Sequence, residues 1–81
     1  MTRELEGTLV RLDRTGVGVV DCENADQYVY FTPRQIEGYR GETVDELAAG
    51  GAQGWTSGKE VVIVADVDPS GNVNVKSVAL K

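Results

Sequence analysis

Glu60-Val61-Val62-Ile63-Val64-Ala65-Asp66-Val67, followed by Asp68-Pro69-Ser70-Gly71 and then Asn72-Val73-Asn74-Val75-Lys76, is the stretch on which the fold turns. Its first part is a continuous run of mostly β-branched residues, which predicts a strand buried on both faces over part of its length. Asp-Pro-Ser-Gly is a dense turn signal. After it, asparagines and Lys76 alternate with valines on the way to Val78 and Leu80, so the returning strand shows one face to water. The carboxyl-terminal third therefore reads as a β-hairpin.

Upstream the same texture recurs in shorter pieces. Gly7-Thr8-Leu9-Val10-Arg11-Leu12 leads through the turn Asp13-Arg14-Thr15-Gly16 into Val17-Gly18-Val19-Val20. Gly16 supplies the positive φ such a turn needs. Gly18, inside the second run, predicts a bend or a close approach of other atoms to the backbone. Polar residues 21–26 precede Gln27-Tyr28-Val29-Tyr30-Phe31, rich in aromatic and β-branched strand formers. Pro33 ends that run, because proline cannot donate to a ladder.

The segment between, from Arg34 to Lys59, carries Gly38, Gly41, Gly50, Gly51, Gly54 and Gly58 and little strand signal. Within it Thr43-Val44-Asp45-Glu46 fits a capping box, with Gly50-Gly51 as the stop. A long glycine-rich loop holding one helical turn is expected here, with residues 41–57 the most variable part and able to be shortened without unfolding the barrel. Trp55, alone in this loop, either caps the end of the barrel as core or stands exposed as a partner contact.

The expected strands fall near 4–13, 16–22, 26–32, 59–67 and 72–79, with the helical turn near 44–49. No strand alternates with a full helical pattern, which argues against a parallel α/β sheet. Three strands in a meander, a long connection and a final hairpin make an all-β, five-stranded antiparallel barrel of the oligonucleotide-binding (OB) type, since closure hides the sheet edges. With 81 residues the chain is one small domain, residues 1–81.

Composition narrows the function. The chain has no histidine and one cysteine, Cys22, which removes the commonest general base, a disulfide framework and a multi-cysteine metal site. Thirteen acidic against eight basic residues leave a net charge of −5, which disfavours charge-driven binding of duplex nucleic acid. Asp45-Glu46 and Asp66 with Asp68 are carboxylate pairs, but capping explains the first and the turn before Pro69 the second, so no catalytic residue, metal or cofactor is expected. No apolar run approaches the ~20 residues of a membrane span and no signal peptide is visible, so a cytoplasmic monomer is expected.

Several of these pieces resemble the cold-shock domain. That family opens on a Gly-Thr-Val strand, and Gly7-Thr8-Leu9 stands here. Its second-strand Lys-Gly-Phe-Gly-Phe-Ile is matched by Thr15-Gly16-Val17-Gly18-Val19-Val20, and its third-strand Asp-Val-Phe-Val-His-Phe-Ser by Asp26-Gln27-Tyr28-Val29-Tyr30-Phe31-Thr32. Its Ile followed by Gly-Phe-Arg corresponds to Ile36 and Gly38-Tyr39-Arg40, and Val75-Lys76-Ser77-Val78 is similar to its closing Ala-x-Asn-Val. The resemblance spans most of the chain apart from about a dozen residues near 42–57. The chain is also similar, less closely, to the repeat domain of the largest small-subunit ribosomal protein, through Gly58-Lys59-Glu60-Val61 and Ser77-Val78-Ala79-Leu80-Lys81.

The resemblance implies binding of single-stranded RNA or DNA by stacking bases on Tyr28, Tyr30, Phe31 and Tyr39. It also marks departures: Arg11 stands at the family's first-strand tryptophan, and Val17 and Val19 replace its second-strand phenylalanines. From the residues themselves, strand alternation puts Tyr28 and Tyr30 about 7 Å apart on one face with Val29 on the other. Alternation sends Phe31 inward, whereas the resemblance sends it outward. Stacking is worth roughly 1–3 kcal/mol per base whatever the base, so two lost aromatics predict weak, sequence-tolerant binding. Arg11 either compensates in part, since a guanidinium stacks and pairs with phosphate, or is a solvated strand arginine paired with Asp13 or a glutamate. The competing expectation is a barrel that has lost nucleic-acid binding and contacts protein through the Val17/Val19/Tyr face or the loop around Trp55.

Overall fold

The structure, a computed structural model, describes residues 2–23, 28–51 and 54–81. Among the described residues there are five strands: β1 (Thr2–Leu12), β2 (Gly18–Cys22), β3 (Tyr28–Phe31), β4 (Glu60–Val67) and β5 (Val73–Leu80). A 3-10 turn, Pro33–Gln35, follows β3, and one short helix, α1 (Val44–Ala48), lies before β4. Every predicted strand is found with ends shifted by a few residues. The predicted start of the third strand, at 26, lies outside the described residues.

The strands form a single antiparallel sheet in the order β3-β2-β1-β4-β5. β1 is central and the longest, pairing along its second half with β2 and along its first half with β4. That offset, together with irregularities in the register between Leu9 and Arg11 and between Val64 and Ala65, curls the sheet into an OB-like half-barrel. The concave side carries the core: Leu5 and Leu9 from β1, Val20 and Cys22 from β2, Val29 and Phe31 from β3, Val61, Ile63 and Ala65 from β4, and Val78 from β5. β4 is less enclosed than its sequence suggests. Val61, Ile63 and Ala65 are buried, but Val62 and Val64 on its other face are half-buried.

β3 and β5, the two edge strands, face each other across the open side. Closure there runs through the 3-10 turn. Gln35 Oε1 accepts the Thr32 N–H at 2.8 Å, and Gln35 Nε2 donates to the Val75 carbonyl at 2.9 Å. Ile36 makes a parallel bridge to Val78, and Glu37 N–H donates to the Val78 carbonyl at 2.8 Å. Pro33, which ends β3, thus hands the closing role to side-chain and turn hydrogen bonds.

The connection from β3 to β4 contributes side chains to the core. The capping box forms: Thr43 Oγ1 accepts the Glu46 N–H at 3.1 Å, and Glu46 Oε1 accepts the Thr43 N–H at 3.2 Å. Leu47 of α1 is buried, and Trp55 N–H donates to the Leu47 carbonyl at 2.9 Å. Trp55 is 6% exposed, with its ring tilted at 53° to Phe31 and the centroids 5.6 Å apart. Of the two readings open for Trp55, core is the one observed. The exposed partner contact is corrected, because the ring joins the core cluster of the half-barrel and packs against Phe31. Leu47 and Trp55 are thus core side chains, and shortening of residues 41–57 is expected to leave the barrel folded only where it spares them.

Gly18 shows why the second run holds a glycine. Its pair partner in β3 is Phe31, and a Cβ built on Gly18 would overlap the Phe31 ring. The ring fills the space that a side chain on residue 18 would need, and it also packs against Trp55. Gly18→Ala is expected to destabilise the fold by about 1–3 kcal/mol through overpacking. The readout is a lower urea midpoint at unchanged slope, and an unchanged midpoint would mean that the ring swings aside freely.

Candidate functional site

The convex face of the β1-β2-β3 end gathers most of the residues singled out in the sequence. In β3, Tyr28 and Tyr30 are 53% and 61% exposed, with Val29 between them buried. On β2, Val19 pairs with Tyr30 and Asp21 with Tyr28. On β1, Arg11 pairs with Val19 and Thr8 with Asp21. Two rows therefore cross three strands on one face: Arg11–Val19–Tyr30 and Thr8–Asp21–Tyr28. Val17, exposed and two residues before Val19, extends the face toward the β1–β2 turn.

Arg11 reaches this face only because of the irregularity at Val10. Leu5 and Leu9 point into the core, and strict alternation would turn Arg11 inward after them. The extra residue between Leu9 and Arg11 resets the phase, placing Arg11 opposite Val19 and leaving Val10 exposed as well. Val10 is a member of the apolar surface that the sequence reading missed, and no local signal marks the bulge. Val19 is 9% exposed and lies outside the core cluster, on the convex face between Arg11 and Tyr30. It is a nearly covered floor rather than an open surface.

Two of the expected stacking residues are elsewhere. Phe31 is 2% exposed and sits in the core against Trp55. Alternation is kept through β3 without the kink that would turn the ring out. Tyr39 is half-buried against the core, and its hydroxyl donates to the Glu42 carbonyl at 2.8 Å. It follows the 3-10 turn and serves to anchor residues 39–42. The stacking set of four aromatics is thereby reduced to Tyr28 and Tyr30.

Charge is unevenly spread over the face. At the Tyr30 end stands Arg11. Arg14, in the β1–β2 turn, and Arg34, in the 3-10 turn, flank the same end, for the β1–β2 turn packs on Pro33: a Cβ built on Gly16 would sit 3.7 Å from Pro33 Cδ. None of these three arginines is ion-paired with another described residue. At the Tyr28 end stands Asp21, and across the open side a cavity of about 500 Å³ separates Tyr28 and Tyr30 from Asp68, Asn72 and Asn74 of the β4–β5 hairpin. The Asp68 carboxyl lies below the usual carboxylate range, held there mainly by the backbone N–H and side chain of Asn72, with Ser70 N–H adding to it. It stays ionised and fixed, so this wall of the cavity is negative as well as rich in amides.

The remaining candidates take structural roles. Asp66 accepts from Thr2 Oγ1 at 2.8 Å and pairs with Lys76 at 3.2 Å. Glu46 caps α1. Burial, with the carboxylate of Asp21 next to it, pushes the Cys22 thiol above its ordinary value, away from a reactive thiolate. Among the described residues, no helix is long and apolar enough to cross a membrane. Comparison of the chain with family models, with curated proteins and with solved structures finds no match.

Proposed function

We propose that the protein binds single-stranded RNA or DNA weakly and with little sequence preference, by stacking bases on Tyr28 and Tyr30. The observation that carries this reading is the pair of wide-open tyrosine rings at i and i+2 of an edge strand, beside an apolar floor and an arginine without an ion-pair partner among the described residues. A ring that remains more than half exposed contributes little to the core, and its free π-face accepts any base. Arg11, Arg14 and Arg34 set the polarity: the phosphates run along the Tyr30 end, while Asp21 and Asp68 keep them from the Tyr28 end. The resemblance to the cold-shock domain supports the same reading, narrowed to two of its aromatics. Asp21 beside Tyr28 favours a second reading, in which the face takes a protein partner.

The test is the anisotropy of labelled oligo-U and oligo-dT octamers, measured against a duplex of equal length at several salt concentrations. Single strands are expected to bind at least about ten-fold tighter than duplex, because paired bases cannot lie on the tyrosines. With three arginines available, the log–log salt slope should be no steeper than about −2, at roughly −0.7 per neutralised phosphate. Equal affinity for duplex, a steep slope, or no binding at millimolar protein would overturn the proposal and leave the protein-partner reading in front.

A further inference from the structure

Away from the tyrosine face, α1 and the residues before it form one side of a groove of about 450 Å³ whose other side is the end of β5. This lies within the roughly 300–1,000 Å³ of cavities that take a specific ligand group. Its apolar lining comes from Leu80, half-buried, over the buried side chains of Ile36, Leu47 and Trp55. Its rim is acidic: Glu37, Glu42 and Glu46 line it, and among the described residues no lysine or arginine does.

Two of these carboxylates are held in place. Glu42 Oε1 accepts the Arg40 N–H at 2.6 Å, and Glu46 Oε1 accepts both the N–H and the hydroxyl of Thr43, at 3.2 and 3.0 Å. The chain around Glu42 is pinned again by Tyr39, whose hydroxyl bonds the Glu42 carbonyl. Each carboxylate is held through one oxygen, so less side-chain freedom remains to be lost on binding.

We infer that this groove docks a short basic peptide segment of another protein, with a bulky aliphatic side chain against Leu80, above the buried Trp55, and flanking arginine or lysine on the Glu37/Glu42/Glu46 rim. Charge complementarity selects the occupant. An acidic or phosphate-bearing ligand meets three carboxylates, and a purely apolar one leaves them without counter-charge. The inference is independent of the nucleic-acid proposal, because it uses none of Tyr28, Tyr30 or Arg11.

The probe is a capped five-residue peptide of alternating arginine and leucine, which contains no aromatic residue. Trp55, the one tryptophan of the chain, lines the groove, so its emission reports occupancy. The peptide is expected to shift that emission saturably, more weakly as salt rises from about 50 to about 300 mM. Its counterpart with glutamate in place of arginine should give no shift. Glu42→Gln and Glu46→Gln should each weaken binding about two- to five-fold, the range of exposed ion pairs. Both keep the carbonyl oxygen that accepts from Arg40 or Thr43, so the fold is retained. Tyr28→Ala/Tyr30→Ala should bind the peptide as the parent does. No saturable shift at millimolar peptide, or equal binding by the glutamine variants, overturns the inference. So does an equal response to the acidic peptide.

Discussion

Trp55→Ala is expected to lower the melting temperature by about 15–30 °C, enough to leave much of the protein unfolded at 37 °C. Truncating a buried tryptophan costs roughly 3–5 kcal/mol, from lost burial and from the cavity it leaves. In a domain of this size each kcal/mol moves the midpoint by about 4–8 °C. Here the cavity would open between Phe31, whose ring centroid is 5.6 Å from that of Trp55, and α1, whose Leu47 is buried in the same cluster. Small chains have little stability in reserve, so the loss is a large fraction of the whole. Calorimetry or thermal circular dichroism checks it, with Tyr28→Ala as the control. That ring is 53% exposed, and its loss should move the midpoint by only a few degrees, at about 0.5 kcal/mol. A Trp55 variant that melts within about 5 °C of the parent would contradict the placement of the ring.

Tyr28→Ala/Tyr30→Ala carries the largest expected effect on binding: a loss of about 2–6 kcal/mol in single-strand affinity, or no measurable binding. The fold should survive, since both rings project from the convex face and neither belongs to the core. Each single substitution should cost about 1–3 kcal/mol. Val17→Phe should strengthen binding, because Val17 is exposed and a ring there would widen the stacking surface beside Tyr30. Val19→Phe is a poorer prospect than the resemblance implies. Val19 is nearly covered between Arg11 and Tyr30, and a larger side chain must displace one of them. If the double variant binds oligonucleotides like the parent, stacking on this face is not the source of affinity.

The two expected results depend on the same aromatic run, and that run shows how far local reading reaches. Tyr28, Tyr30 and Phe31 are alike by composition, yet two stand in water and one is core. Period-2 alternation was enough to place all three correctly. The family resemblance, which sends Phe31 outward, was the weaker guide, because it assumes a kink that this chain does not make. Trp55 was legible as a choice between core and surface but not resolved. Its burial depends on the distance from the loop to the open end of the half-barrel, and nothing near it in sequence encodes that distance.

Arg11 is the converse case. It belongs to the candidate face through a bulge at Val10 that reverses the phase of β1 within its pairing with β2. The acidic-rimmed groove is similar. Glu37, Glu42 and Glu46 lie spread over ten positions, and only the packing of α1 against Trp55 and the end of β5 turns them into one rim.

The sequence by itself determined the number and order of the strands, the hairpin turns, the capping box and the exposed tyrosine pair. Each of these is written in neighbouring residues, through backbone preference, side-chain alternation and short hydrogen bonds between positions a few apart. The tertiary structure alone decided how the edges close through Gln35 and Ile36, that Phe31 fills the space beside Gly18 and packs against Trp55, and which charges share a face. Those outcomes depend on contacts between residues far apart in the chain, where the curl of the sheet sets the distances and local preference is silent.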